Sequence, residues 1–326
     1  MQQEFKKKRT PYGLPFLNIK ETKLLQEKTR HSQEILIKYG FERVMPSALD
    51  YPETFDRYHS KDSFRLRDSL GEDLSLRNDV TVQVIKGFTN IFELSEEAWQ
   101  KSKFFYNASV FRDIKRSYPA LREVYQMGAE SIGISENESI PQLIEIGHEI
   151  LHNAFHLEHH ILVGDIRVFQ KLQESCTADI KEISIQKDTN SLAKQFVASG
   201  WSAGLAGELS KNLLYYQDET EFFDKWNLLK TKLTVQNQKN ILESFESHFH
   251  NLSKLLLPLQ KIKIPVSWEP LLVRDVSYYT GLLFEGYVPN LISAPLRGGA
   301  YDRLISEYSD KDLPASGFAL DISSLI

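Results

Sequence analysis

The chain has 326 residues, 41% of them hydrophobic and 25% charged, a composition that excludes disorder and collagen-like repeats and allows roughly three quarters of the unfolded surface to be buried. No run approaches the roughly 18 to 20 apolar residues that span a bilayer, and the basic stretch near Met1 is followed by no apolar signal segment. The lone Cys176 can form no internal disulfide, which fits a reducing cytosol, and a formal charge of −5 lacks the basic footprint of a nucleic-acid binder.

Residues 1–17 read as an irregular lead-in. Asn18 and Glu21 make a capping box for a helix that Gly40 should end, with Leu24, Leu25, Ile35, Leu36 and Tyr39 on its apolar face. FERVMPSALDY (41–51) is expected to form a strand ending at a proline, and FRLRDSLGEDLSLRND (64–79) a hairpin turning at Gly71. Two aromatic and β-branched runs, 103–112 and 122–133, predict strands joined by a charged, proline-containing loop. Residues 137–160 follow a helical period, with Ile140, Leu143, Ile144, Gly147, Ile150, Leu151, Ala154 and Phe155 in one stripe. HHILVGDIRVFQKL (159–172) reads as a strand and a helix start, and residues from about 177 to 262 read as helices. Strand character returns over 277–288, a turn is expected at RGGAYDRL (297–304), and the last segment is GFALDISSLI. Strands, then helices, then strands argue for an α+β fold with an antiparallel sheet. The expected domains are a discontinuous core over 1–170 and 263–326 and a helical insertion over 171–262.

Three groups of residues could carry chemistry. His148-Glu149-Ile150-Leu151-His152 is an HExxH on a helix, which would set two imidazoles one turn apart with a glutamate as general base, as in a zinc peptidase. Phe155 and Glu158 stand where the extended motif needs glycine and a third histidine, and the surrounding sequence is His-rich, so no metal is expected. In the second group, period-two alternation puts Gln126, Gly128 and Glu130 on one side of a strand, where the glycine should leave room for a ligand. Glu130 suits an ammonium, Gln126 an amide-type hydrogen bond, and the Arg112 fork a carboxylate or phosphate. In the third, Arg274 precedes Tyr278-Tyr279-Thr280-Gly281, whose hydroxyls and rings could line a pocket, and Gly298-Gly299 implies a backbone turn or a close approach. GxGxxG, GxxxxGK[ST] and GxSxG motifs are absent.

Taken in order, these segments resemble the class II aminoacyl-tRNA synthetases, specifically the histidyl enzymes. FFYNASVFRDIKRSYPALREVYQMGAESIG is similar to their motif 2, LLVRDVSYYTGLLFE and RGGAYDRL to their two histidine signatures, and SLRNDVT to the loop that holds the substrate amino group, with Asp79 in place of glutamate. The resemblance implies a synthetase-like fold with a helical insertion. Carried over residue by residue, it implies that Asp79 and Thr81 meet the α-amino group, Arg112 lies on the carboxylate side, and Gln126 and Glu130 complete a polar cage. Arg274 would neutralise the carboxylate, and Tyr278 and Tyr279 would enclose the imidazole.

Departures from the pattern point away from synthesis. Ile114 stands where motif 2 carries an acidic ATP contact, and Ser324 where motif 3 ends in an adenine-stacking arginine; a serine supplies neither the charge nor the plane. No anticodon-binding domain, on the order of 100 residues, is expected after Ile326. Asp275 and Ser277 also replace the glycine and aspartate usual in the RGLDYY-like signature. A retained amino-acid pocket with lost ATP chemistry resembles the regulatory-subunit family of ATP phosphoribosyltransferase, the first enzyme of histidine biosynthesis. The resemblance implies a non-catalytic cytoplasmic chain without cofactor, tRNA or membrane contact. It would bind histidine as effector, self-associate as a dimer, and join a short-form catalytic subunit in a hetero-octamer. The alternative is a degenerate synthetase that still activates histidine with ATP.

Overall fold

The computed structural model describes residues 10–59, 63–92, 101–114, 121–215, 219–274 and 278–326. The chain forms two compact units, Met1–His159 with Gly286–Ile326, and His160–Glu285. The second unit therefore takes in strands at both ends of the helical segment.

In the first unit, α1 (Ile19–Lys38) begins at the expected capping box: Asn18 Oδ1 accepts from the amides of Lys20 and Glu21, and Glu21 Oε2 accepts from Asn18 N at 2.8 Å. Gly40, at φ +82°, releases the chain from the helix. Leu36 is fully buried, whereas Leu24 faces outward. The single strand expected over 41–51 is instead two, β1 (Glu42–Arg43) and β2 (Leu49–Asp50), in different sheets. Pro46 lies between them without an N–H, and its carbonyl accepts from Arg77 Nη1 at 2.8 Å. After α2 (Glu53–His59), the hairpin of β3 (Arg65–Arg67) and β4 (Asp73–Leu76) turns at Gly71, φ +88°, and completes a small sheet ordered β2-β4-β3. Next come α3 (Thr81–Phe92), the paired antiparallel strands β5 (Ser102–Phe111) and β6 (Glu123–Ile132), and α4 (Glu136–Glu149). All eight stripe residues of the α4 segment are buried, but the helix does not reach residue 160. It passes into a π turn at Ile150–Ala154, closed by His156 at φ +58°.

In the second unit, β7 (His160–Asp165) pairs in parallel with β8 (Val266–Trp268), and the strand order is β9-β7-β8, where β9 is Leu282–Tyr287. Residues 278–281 precede that strand as irregular chain, with a turn at Tyr278 and a bend at Gly281, and are not its beginning. Between β7 and β8 run α5 (Ile166–Glu174), α6 (Lys181–Ile185), α7 (Thr189–Ala198), α8 (Ala203–Leu214), α9 (Glu219–Lys232) and α10 (Gln236–Lys261). Their core is aromatic: Phe222 stacks on Trp226 at 5.5 Å and meets Trp268 edge-on at 4.7 Å, with Phe249 packed against all three. Asp165 is almost wholly buried. It caps α5 and accepts from Arg167 Nε at 2.7 Å and His248 Nδ1 at 2.8 Å.

The chain returns to the first unit with β10 (Leu296–Ala300) and β11 (Ala315–Asp321), giving the strand order β1-β5-β6-β11-β10. The sheet is mixed: β1 runs parallel to β5, while the other pairs in this unit are antiparallel. The turn expected at RGGAYDRL is in fact strand through Ala300, with Gly299 directly opposite Gly317. Met127, Ala129, Leu296, Phe318 and Leu320 form a buried face under α4, where Ser316 Oγ donates to Ser139 Oγ at 2.7 Å. The opposite face carries the candidate site.

Candidate functional site

Strand register assembles the first unit's group. Gln126, Gly128 and Glu130 on β6 lie opposite Asp321, Ala319 and Gly317 on β11, and opposite Ala108, Tyr106 and Phe104 on β5. Asp79 accepts from Val82 N at 3.2 Å at the start of α3, a capping contact. This delivers Thr81, whose Oγ1 donates to Glu130 Oε1 at 2.7 Å. The other carboxyl oxygen accepts from the Tyr301 hydroxyl. Glu130 is fully buried, and burial pushes its pKa up to about 8. The two hydroxyls oppose that rise and the Asp79 charge adds to it, so Glu130 holds its proton at neutral pH.

Tyr301 and Gly317 were not foreseen as site residues. A Cβ at Gly317 would lie 1.9 Å from Glu130 Oε2 and 2.5 Å from the Ala129 carbonyl, so only glycine leaves space for this carboxyl. Tyr301 lies within RGGAYDRL, but nothing in its spacing indicates that a distant strand brings Glu130 to it. The room expected beside Gly128 is filled: a Cβ there would stand 2.2 Å from Tyr106 Cζ. Gln126 is buried on the same face. Arg112 extends the face past β5, its amide donating to Arg122 O at 2.8 Å. Arg122 pairs with Asp113 and places its guanidinium 4.5 Å from the Phe64 ring. Ile114 follows, partly exposed. Ser324 lies in the 3-10 turn Ser323–Leu325, and its hydroxyl donates to Asp321 O at 3.0 Å.

In the second unit, Arg274 Nε lies 3.4 Å from Glu285 Oε1, and the guanidinium sits 5.5 Å from the Tyr279 ring centre. The Arg274 side chain is 10% exposed, and its Nη1 has no hydrogen-bond partner among the described residues. A buried guanidinium with a spare donor fits an anionic group. Tyr278 and Tyr279 are both buried, with ring centres 4.9 Å apart. Asp275 and Ser277 fall outside the described residues.

The HExxH residues are otherwise engaged. His148 Nδ1 lies 2.9 Å from His159 Nε2, and its ring stacks on His152 at 5.4 Å. Glu149, the general base of a zinc reading, accepts instead from the Tyr39 hydroxyl at 2.7 Å and from Lys38. Among the described residues no group of three His, Cys, Asp or Glu is placed to hold a metal ion.

The family profile described as histidyl-tRNA synthetase matches residues 13–325. An ATP phosphoribosyltransferase regulatory subunit from Leptospira interrogans is 30% identical over 98% of this chain and 93% of its own length. The chain belongs to the histidyl-tRNA synthetase family and, within it, to the ATP phosphoribosyltransferase regulatory subunits. Another relative of this family member, a histidine–tRNA ligase from Pyrobaculum aerophilum, is 26% identical over 91% of this chain and 70% of its own length. Among solved structures, an ATP phosphoribosyltransferase regulatory subunit/histidyl-tRNA synthetase from Bacillus halodurans superposes with TM-score 0.79 at 19% identity, covering 98% of this chain and 82% of that one. The apo histidyl-tRNA synthetase of S. aureus gives TM-score 0.63 at 20% identity, over 97% and 72%. These likenesses establish the class II synthetase-like fold.

Proposed function

We propose that this chain is a non-catalytic regulatory subunit of ATP phosphoribosyltransferase, which binds histidine and makes the activity of a short-form catalytic subunit depend on it. The observation that carries this reading is the near end-to-end match to a chain so named, over 98% of this sequence and 93% of the relative. Ser324 supports it, because a short hydroxyl committed to the Asp321 carbonyl stands where adenine stacking needs an arginine. The amino-acid roles follow the resemblance. In the first unit Asp79, Thr81, Gln126 and Glu130 serve the polar groups of histidine and Arg112 its carboxylate side. In the second, Arg274 offers its spare donor to a carboxylate, and Tyr278 and Tyr279 offer rings and hydroxyls to an imidazole. The partner carries the chemistry in a cytoplasmic hetero-octamer, with this chain self-associating as a dimer and no tRNA taking part. Among the described residues no helix is long and apolar enough to cross a membrane.

Feedback requires histidine to bind one quaternary state better than the other, and a coupling of about 1 to 3 kcal/mol suffices. Linkage makes the effect reciprocal, so the partner shifts histidine affinity by the same factor. Calorimetric titration of histidine into this chain, alone and with a short-form catalytic subunit, should give saturable binding that the partner alters about 5- to 150-fold. No heat of binding in either titration removes the sensing role. The histidine–tRNA ligase relative favours a second reading, residual histidine activation. Histidine-dependent pyrophosphate exchange into ATP separates the two, and none above background is expected here.

A further inference from the structure

Within the second unit, the segment that carries Arg274, Tyr278 and Tyr279 hangs on the end of β7 at two places. Glu269 N donates to Val163 O at 2.8 Å, and Ile166 N donates to Gly281 O at 3.1 Å. Between β8 and Arg274 the chain turns through residues 269–272, where Leu272 N donates to Glu269 O at 3.3 Å. This turn lies directly on β7: a Cβ at Gly164 would stand 2.4 Å from Leu272 Cβ and 2.9 Å from Glu269 O. A displacement of the turn therefore reaches Arg274, two residues on. Trp268 fixes the strand side among the rings of Phe222 and Phe249. The other hold comes from the helical segment, where Lys187 Nζ lies 2.9 Å from Glu269 Oε2. The Glu269 side chain is 10% exposed and that of Lys187 42%. Lys187 sits between α6 and α7 at φ +53°, its amide donating to Ser184 O at 3.2 Å, and Asp188 beside it caps α7.

We infer that Lys187 is a positioning residue for Arg274: by neutralising the buried Glu269 carboxylate it keeps the 269–272 turn seated on β7, and so keeps the Arg274 guanidinium aimed at a ligand carboxylate. The inference rests on the histidine-binding reading above and deepens it, because it gives the helical segment a part in the site. A carboxylate this deep is costly without a cation. Burial pushes the Glu269 carboxyl up, and the charge and hydrogen bond of Lys187 oppose that rise. An ion pair between two exposed side chains would contribute little, but here removal of the lysine strands a buried charge. The carboxylate then reaches water only by rotating outward, which pulls the turn from Gly164. Arg274 moves with it. Its Nε lies 3.4 Å from Glu285 Oε1 and its side chain is 10% exposed, so a small shift misdirects the spare Nη1 donor.

Histidine is titrated calorimetrically into the full chain and its variants in mildly alkaline buffer, which keeps Glu269 ionised, with thermal denaturation confirming the fold. Lys187→Met should bind histidine about five- to tenfold more weakly than the parent chain. Lys187→Arg keeps the cation, and adding Glu269→Gln to Lys187→Met removes the need for one; each should hold affinity within about twofold of the parent. A folded Lys187→Met with parent affinity overturns the proposal and leaves the pair as a structural tie. A loss that neither Lys187→Arg nor Glu269→Gln recovers overturns it as well. Absence of histidine binding by the parent chain would instead remove the sensing reading. Hydrogen exchange then decides the positioning separately: Lys187→Met should speed exchange over residues 271–274 and 278–281 while α9 and α10 stay protected, and unchanged exchange there overturns it.

Discussion

Glu130 shows how a single side chain can be decided by its neighbours. Its residue type suggests a carboxylate awaiting an ammonium, yet full burial between Thr81 and Tyr301 keeps it protonated up to about pH 8. Two outcomes follow. Glu130→Gln preserves the shape and the neutral state, so it should cost under about 1 kcal/mol at pH 7, whereas Glu130→Ala removes the carboxyl that the Thr81 and Tyr301 hydroxyls donate to and leaves a cavity, and should cost about 2 to 4 kcal/mol in urea unfolding. Because the folded value lies above the 4.5 of an ordinary glutamate, the unfolded chain sheds this proton first. The contribution of Glu130 is complete below about pH 4.5 and falls away as pH rises toward 8. If histidine brings its ammonium to Glu130, binding near pH 7 should release close to one proton, seen as a binding enthalpy that tracks the ionisation enthalpy of the buffer. A second residue-scale test is Gly317→Ala, whose methyl group would collide with Glu130 and the Ala129 carbonyl; about 1 to 3 kcal/mol of destabilisation is expected.

Elements were more legible than contacts. The capping box at Asn18 and Glu21 could be read because its donors and acceptors are local, and Asn18→Ala should cost about 1 kcal/mol, measured as a shift in urea midpoint. At the other end of the scale, α10 closes on Lys263 at φ +65°, a left-handed position without a glycine. Lys263→Gly should stabilise by up to about 1 kcal/mol with an unchanged denaturant slope. Period-two and helical patterns also predicted β5, β6 and the buried stripe of α4, since each pattern repeats along one element. They failed where a backbone group answers to something distant. The strand expected over 41–51 breaks because Arg77 takes the Pro46 carbonyl, and RGGA is strand because β11 pairs with it. The Gly128 gap closes because Tyr106 lies opposite on β5.

At the scale of the whole chain, acid should be destabilising for identifiable reasons. Burial and the neighbouring His159 and His152 hold His148 down to about 4, so its contribution is present above about pH 6.5 and lost as pH falls through 4. Hydrogen bonds from His248 and Arg167 outweigh burial at Asp165 and hold it to about 2, so its contribution disappears between about pH 4 and 2. Melting temperature measured from pH 7 to 3 should fall in that order, and His148→Gln should flatten the upper part of the decline. What the sequence determined by itself was the family, the α+β class, most helices and strands, and the identity of the polar residues on β6, because these depend on local periodicity and on motifs contiguous in the chain. Tertiary structure alone decided that Glu130 is capped by Tyr301, that Gly317 makes its space, and that Tyr106 fills the room beside Gly128. Those relations arise from register between strands far apart in sequence, where a shift of one residue would turn every one of these side chains to the other face.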